Sequence, residues 1–180
     1  MHWTGAWILL IFAVLVTAIM LTILHLTRLG RLVHEGIPDR PRRRMFLAAV
    51  SFFITFLGVR LLVESITHHI GPFGWVVLGG RHIHHLVWGI FILLGVGYAG
   101  VAEWGIGSTA VSIFWSRLIA ILYGVGSALT LDEFALWLNL QNDYWSPQGR
   151  ESIDAVILFG ALLAVGAWGA PLFAALRRRS

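Results

Sequence analysis

Apolar positions in this chain arrive in long unbroken runs, neither alternating as in a strand nor spaced as on one face of a soluble helix. Residues 7–26 read "WILLIFAVLVTAIMLTILHL", with one histidine at the far end. Comparable runs occupy 45–66, 84–102, 113–132 and 153–176. About twenty apolar residues cross a bilayer as a helix. The pattern therefore predicts an all-α fold, a helical membrane bundle of five transmembrane helices. The punctuation between runs agrees. "GIPD" at 36–39, "GPFG" at 71–74 and "SPQG" at 146–149 are turn sequences. Ser152 is placed to cap the fifth helix, with Asp154 favourable near its start. "WVVLGG" at 75–80 is apolar but too short to cross, which predicts an interfacial segment. Gly95, Gly97 and Gly100 in the third span, and Gly124, Gly126 and Ser127 in the fourth, predict close helix packing.

Composition supports a single transmembrane domain over 1–180. Hydrophobic residues make up 58%, charged residues only 12%, and mean hydropathy is +0.80. There is no cysteine, so disulfides and thiolate metal sites are excluded. Residues 7–26 are too long for the apolar core of a cleavable signal and lack a basic stretch before them.

The net charge of +4 changes meaning once its distribution is read. All thirteen basic residues are arginine. Ten of them lie at 28–44, at 117 and at 177–179. Arginine and lysine collect on the cytoplasmic side of membrane proteins. Placing these clusters inside puts the N-terminus outside and the C-terminus cytoplasmic, as five spans require. The basic residues are then topology signals and contacts to anionic lipid, and no nucleic-acid partner is expected.

That orientation gathers the candidate chemistry on the outer side. His68 and His69 end the second span, and His82, His84 and His85 begin the third. Asp132 and Glu133 end the fourth. Glu64 and Arg60 lie one and two turns below His68, where they could form an ion pair of their own. His82 and His85 share a face if the third helix starts by Arg81. Glu64 and His68 share a face at a spacing of four. Imidazole and carboxylate are ligands for zinc, and in helical bundles for iron or manganese. The expected metal ligands are His68, His69, His82, His84, His85 and Glu64, with zinc first and iron or manganese as alternatives. His2 could join them. His25 and His34, on the other side, read as structural. Interfacial histidines facing water, or a proton-responsive cluster, explain the same residues without metal.

The stretch "LTLDEFALWLNLQNDYWSPQGRESIDAV", with "HIHH", resembles a group of uncharacterised small bacterial polytopic membrane proteins. The resemblance covers roughly the second half of the chain. It implies a bacterial cytoplasmic membrane and carries over no catalytic residue.

Three functions fit. One is a metal-dependent hydrolase acting on a lipid or other interfacial substrate, with Glu133 or Asp132 as general base. A second is a metal or proton sensor. The third is an accessory subunit of an oligomer or larger membrane complex. The sequence offers no nucleophile motif, phosphate loop or haem attachment site. Nor does it offer a continuous polar path for a transporter.

Overall fold

A computed structural model of the chain describes residues 4–70, 77–78, 81–82, 84–135 and 153–163, with side chains at 11–70, 84–135 and 153–163. The elements in order are α1 (Thr4–Leu26), α2 (Arg28–Gly36), α3 (Arg40–Thr67), β1 (Val77–Leu78), β2 (Arg81–His82), α4 (His85–Val101) and α5 (Ala110–Leu131). A sixth helix, α6 (Ile153–Leu163), follows. His2, Trp137, the turn at 146–149, Ser152, the remainder of the fifth run and the C-terminal arginines lie outside the described residues, as do the side chains of Arg81 and His82.

Two of these helices are long and apolar enough to cross a membrane, α3 with 28 residues and α5 with 22. At about 1.5 Å per residue they extend roughly 42 and 33 Å. A third span is possible if α1 and α2, joined at an 81° bend, count as one broken crossing. Helix α4 has 17 residues, and α6 is described over Ile153–Leu163. The helical membrane character expected from the apolar runs is present. Among the described residues the spans number two or three rather than five. The outer surface has the apolar character that lipid contact requires. Phe53, Leu57 and Leu61 on α3, Phe91 and Leu94 on α4, and Leu158 and Leu162 on α6 are all exposed.

Helix α5 is the centre of the bundle and packs against α1, α3 and α4. Val59 from α3 clusters with Ile121, Val125 and Leu129 from α5, and Phe52 from α3 with Ala128 from α5, all fully buried. The α3–α5 contact is close because Gly124 lets it be. A Cβ there would lie 2.1 Å from Ser51 Oγ and 2.2 Å from the Ala48 carbonyl oxygen. Ser51 Oγ lies 3.1 Å from both the Ala48 and the Ile121 carbonyls, so the crossing is joined by a hydroxyl. The predicted packing role thus holds for Gly124, and for Gly126 against α4. At Gly95, Gly97 and Gly100 an added Cβ would meet nothing within 4 Å among the described residues.

The arginine-rich stretch 28–44 between the first two apolar runs is mostly helix. Thr27 caps α2 by accepting from the Leu29 N–H at 3.2 Å, and Asp39 caps α3 by accepting from the Arg42 N–H at 3.1 Å. Arginines at this end satisfy backbone carbonyls that helix ends leave open. Arg117 donates to the Leu24 carbonyl at 3.2 Å, Arg43 to those of His34 and Ile37, and Arg40 to those of Gly105 and Ile106. His25 belongs to the same framework. Its Nδ1 is 3.1 Å from the Leu21 carbonyl, and its ring meets Phe114 edge-on.

The apolar 75–80 segment, read as interfacial, contributes to a minimal antiparallel ladder, with Val77 opposite His82 and Leu78 opposite Arg81. His82 is therefore on a strand. Helix α4 starts only at His85, so the face-sharing pair His82/His85 does not exist.

Candidate functional site: a buried charge network

The acids that close α5 sit against the residues that open α4. Asp132 and Glu133 follow the last turn of α5, and their side chains are 0% and 1% exposed. Burying two carboxylates is expensive unless each is paired and hydrogen-bonded. Each is. Asp132 Oδ1 lies 2.5 Å from Arg60 Nε, and Asp132 Oδ2 lies 3.0 Å from His85 Nε2. Arg60 also donates from Nη2 to the Asp132 carbonyl at 3.3 Å, and its guanidinium lies 5.3 Å from the centre of the Phe56 ring. Glu133 Oε1 lies 2.8 Å from His84 Nδ1, and Oε2 accepts from the Leu86 N–H at 2.8 Å.

That last bond has a local cause. His84 is the N-cap of α4 but makes no side-chain cap bond. The open N–H groups of the first turn need an acceptor, and a carboxylate at a helix N-terminus is also favoured by the helix dipole. Glu133 supplies that acceptor from α5. The sequence of α4 lacks a cap of its own, and the end of α5 provides one in space.

His85 is the hinge of the arrangement. It is buried, with Nε2 facing Asp132 and Nδ1 3.5 Å from Glu133 Oε2. Both ring nitrogens are thus turned toward carboxylates. Burial alone would push the Glu133 carboxyl up. The His84 hydrogen bond, the charge of His85 and the Leu86 N–H outweigh it, and the carboxyl is held below the usual carboxylate range. The hydrogen bond to Glu133 raises His84 above the ordinary imidazole value, against a smaller effect of burial.

The sequence-predicted residues divide on these contacts. His84, His85, Asp132 and Glu133 come together. Arg60 joins them through Asp132 instead of pairing with Glu64, because the parallel α3–α5 packing puts Asp132 beside it. Glu64 pairs with His68 at 3.2 Å, one turn apart, with both side chains about half exposed. His69 follows at a positive φ of 55° where α3 ends. Among the described residues no group of three or more histidines and acids is placed to hold a metal ion. Buried His85 and partly exposed His84 are turned onto carboxylates, while Glu64 and His68 pair with each other. Arg60 was the member of the network that sequence reasoning assigned elsewhere. Its signal was a charge deep in an apolar run, which must find an opposite charge at its own depth.

Comparison with protein-family models, curated proteins and solved structures gives no match to this chain.

Proposed function

We propose that this chain is a five-span protein of a bacterial cytoplasmic membrane, N-terminus outside and C-terminus cytoplasmic, and that it senses protons at its outer face or couples them to a partner subunit. What supports the orientation is the arginine-bearing end of the bundle, which includes Arg40, Arg43 and Arg117 and is read as cytoplasmic. The observation that carries the functional reading is His85 with one ring nitrogen toward each of two buried carboxylates.

A neutral imidazole has one N–H and can donate to one of them. An imidazolium donates to both. Arg60 balances only one of the charges on Asp132 and Glu133, so one protonated histidine brings the cluster to neutrality. Proton uptake then tightens the start of α4 onto the end of α5, and proton loss leaves an uncompensated buried anion. Imidazole is the side chain that makes this change between about pH 5 and 8.

The test is hydrogen exchange over 84–101 and 125–135 across that range, in wild type and His85→Gln, with metal content measured on the same samples. Protection that falls as the pH rises in wild type, and stays flat in the variant, supports the reading. Protection independent of pH in wild type sinks it. Zinc, iron or manganese bound in stoichiometric amount, and lost from a His82→Ala/His84→Ala/His85→Ala variant, would favour the other use of this donor set. That use is a metal-dependent hydrolase of an interfacial lipid, with Glu133 or Asp132 as general base.

A further inference from the structure

A cleft of about 780 Å³ runs between α3, α4, α5 and α6, lined by Arg44, Gly97, Gly100, Tyr123, Thr130 and Leu163 among others. Its size falls within the roughly 300–1,000 Å³ typical of small-molecule sites. Its length follows from the register of α3 on α5. Ser51 meets Ile121 and Arg60 meets Asp132, so Arg44 and Thr130 stand at opposite ends. They are separated by about 20 Å at the helical rise. The half-thickness of a bilayer's hydrocarbon core is roughly 15 Å. The cleft is therefore long enough to take an acyl chain lengthwise.

Its two ends differ. The walls are almost wholly apolar, and the lining includes no carboxylate. Gly97 and Gly100 leave the α4 wall open among the described residues, since a Cβ at either would meet none of them within 4 Å. Arg44 stands at one mouth. It differs from its neighbours in this respect. Arg40, Arg43 and Arg117 donate to backbone carbonyls, whereas Arg44 has no hydrogen bond or ion pair among the described residues. Arg40 is close enough to act on it electrostatically. A half-buried guanidinium beside a second positive charge, at the mouth of an apolar slot, meets no anion among the described residues.

We infer that the cleft binds an anionic phospholipid, with its phosphate on Arg44 and an acyl chain along α4 and α5 toward Thr130. Anionic lipid is drawn to basic groups at a membrane surface. Here the charge is joined to a shaped apolar channel, which turns general attraction into a site.

Native mass spectrometry of the full chain, with phosphatidylglycerol or phosphatidylcholine of identical chains, tests it. Wild type should retain phosphatidylglycerol about five-fold more tightly than phosphatidylcholine. Arg44→Gln should abolish that preference and Arg44→Lys should keep it. Arg31→Gln, at an exposed position on α2, should also keep it. Gly97→Leu with Gly100→Leu should reduce retention of both lipids by filling the channel. Equal retention of the two lipids by wild type overturns the proposal. Loss of preference in Arg31→Gln as large as in Arg44→Gln does so too, because the attraction would then be diffuse. Retention of neither lipid by wild type would mean that the chain itself fills the cleft, and would end the proposal equally.

Discussion

Arg60 and Asp132 stand 72 residues apart in sequence and 2.5 Å apart in space, joining the C-terminal half of α3 to the end of α5. The carboxylate is fully buried, and its second oxygen holds His85. Removing one member takes the ion-pair partner from the other, and breaking a buried pair costs roughly 3–5 kcal/mol. Asp132→Asn and Arg60→Gln should each lower the thermal midpoint in detergent strongly. The double variant should recover part of the loss, because no lone charge remains. If the two single losses simply add, the pair is not coupled.

The Glu133–His84 contact predicts how stability moves with pH. His84 is raised in the folded state, so its contribution is full below its ordinary value near 6.5 and is lost as pH rises through the raised value. Glu133 is lowered, so its contribution is full above its ordinary value near 4.5 and is lost as pH falls through the lowered value. Both are complete between about pH 4.5 and 6.5. His84 is partly exposed, so its share is expected to be at most about 1 kcal/mol. Subtracting the melting profile of His84→Gln from that of wild type should give a difference that shrinks above that window. Glu133→Gln should give one that shrinks below it. A difference constant with pH would show that the contact is not ionic.

Gly124 and Gly97 make a matched pair, both glycines within helices and opposite in surroundings. Alanine at 124 would press into Ser51 and the Ala48 carbonyl. Overpacking of this kind costs roughly 1–3 kcal/mol. Alanine at 97 meets open space and should leave stability unchanged or slightly higher. Thermal shifts on the two purified variants check this. Similar losses for both would mean that the α4 wall is closed by something other than lipid.

Much of this architecture is legible in the amino-acid sequence. Long apolar runs identify the helices because a bilayer admits few other solutions. The meeting of His84 and His85 with Asp132 and Glu133 is readable from depth alone, since unneutralised acids at a span's end must find partners. What is not legible depends on the register between helices. Arg60 has Glu64 one turn away on its own helix, and only the parallel packing of α5 makes Asp132 the nearer partner. The start of α4 is equally hidden. "RHIHHLVWG" can begin a helix at Arg81, but pairing of Arg81 and His82 with Val77 and Leu78 delays it to His85. That delay removes a helical metal-ligand pair. Glycine poses the same problem, since Gly97 and Gly124 look alike in sequence and differ only in what stands opposite.

Helix α2 supplies the last prediction. Its apolar positions Leu29, Leu32 and Val33 share one face, and Arg28, Arg31 and Glu35 share another. Leu29 and Leu32 are exposed although apolar, and the axis bends 81° from α1. A helix so patterned and so turned is expected to lie along the membrane interface with its leucines in the acyl region. The chain contains no cysteine, so a single introduced cysteine carries a unique spin label. In lipid nanodiscs, a label at Leu32→Cys should be relaxed more by oxygen, and one at Glu35→Cys more by a water-soluble nickel chelate. The bend depends on Gly30, where a Cβ would fall 1.8 Å from the Leu24 carbonyl oxygen. Adding Gly30→Val should force α2 away from α1 and bring the two labels to similar accessibility. If both labels already behave alike in the parent chain, α2 does not lie in the interface. If valine leaves them unchanged, the elbow is not held by the close approach at Gly30.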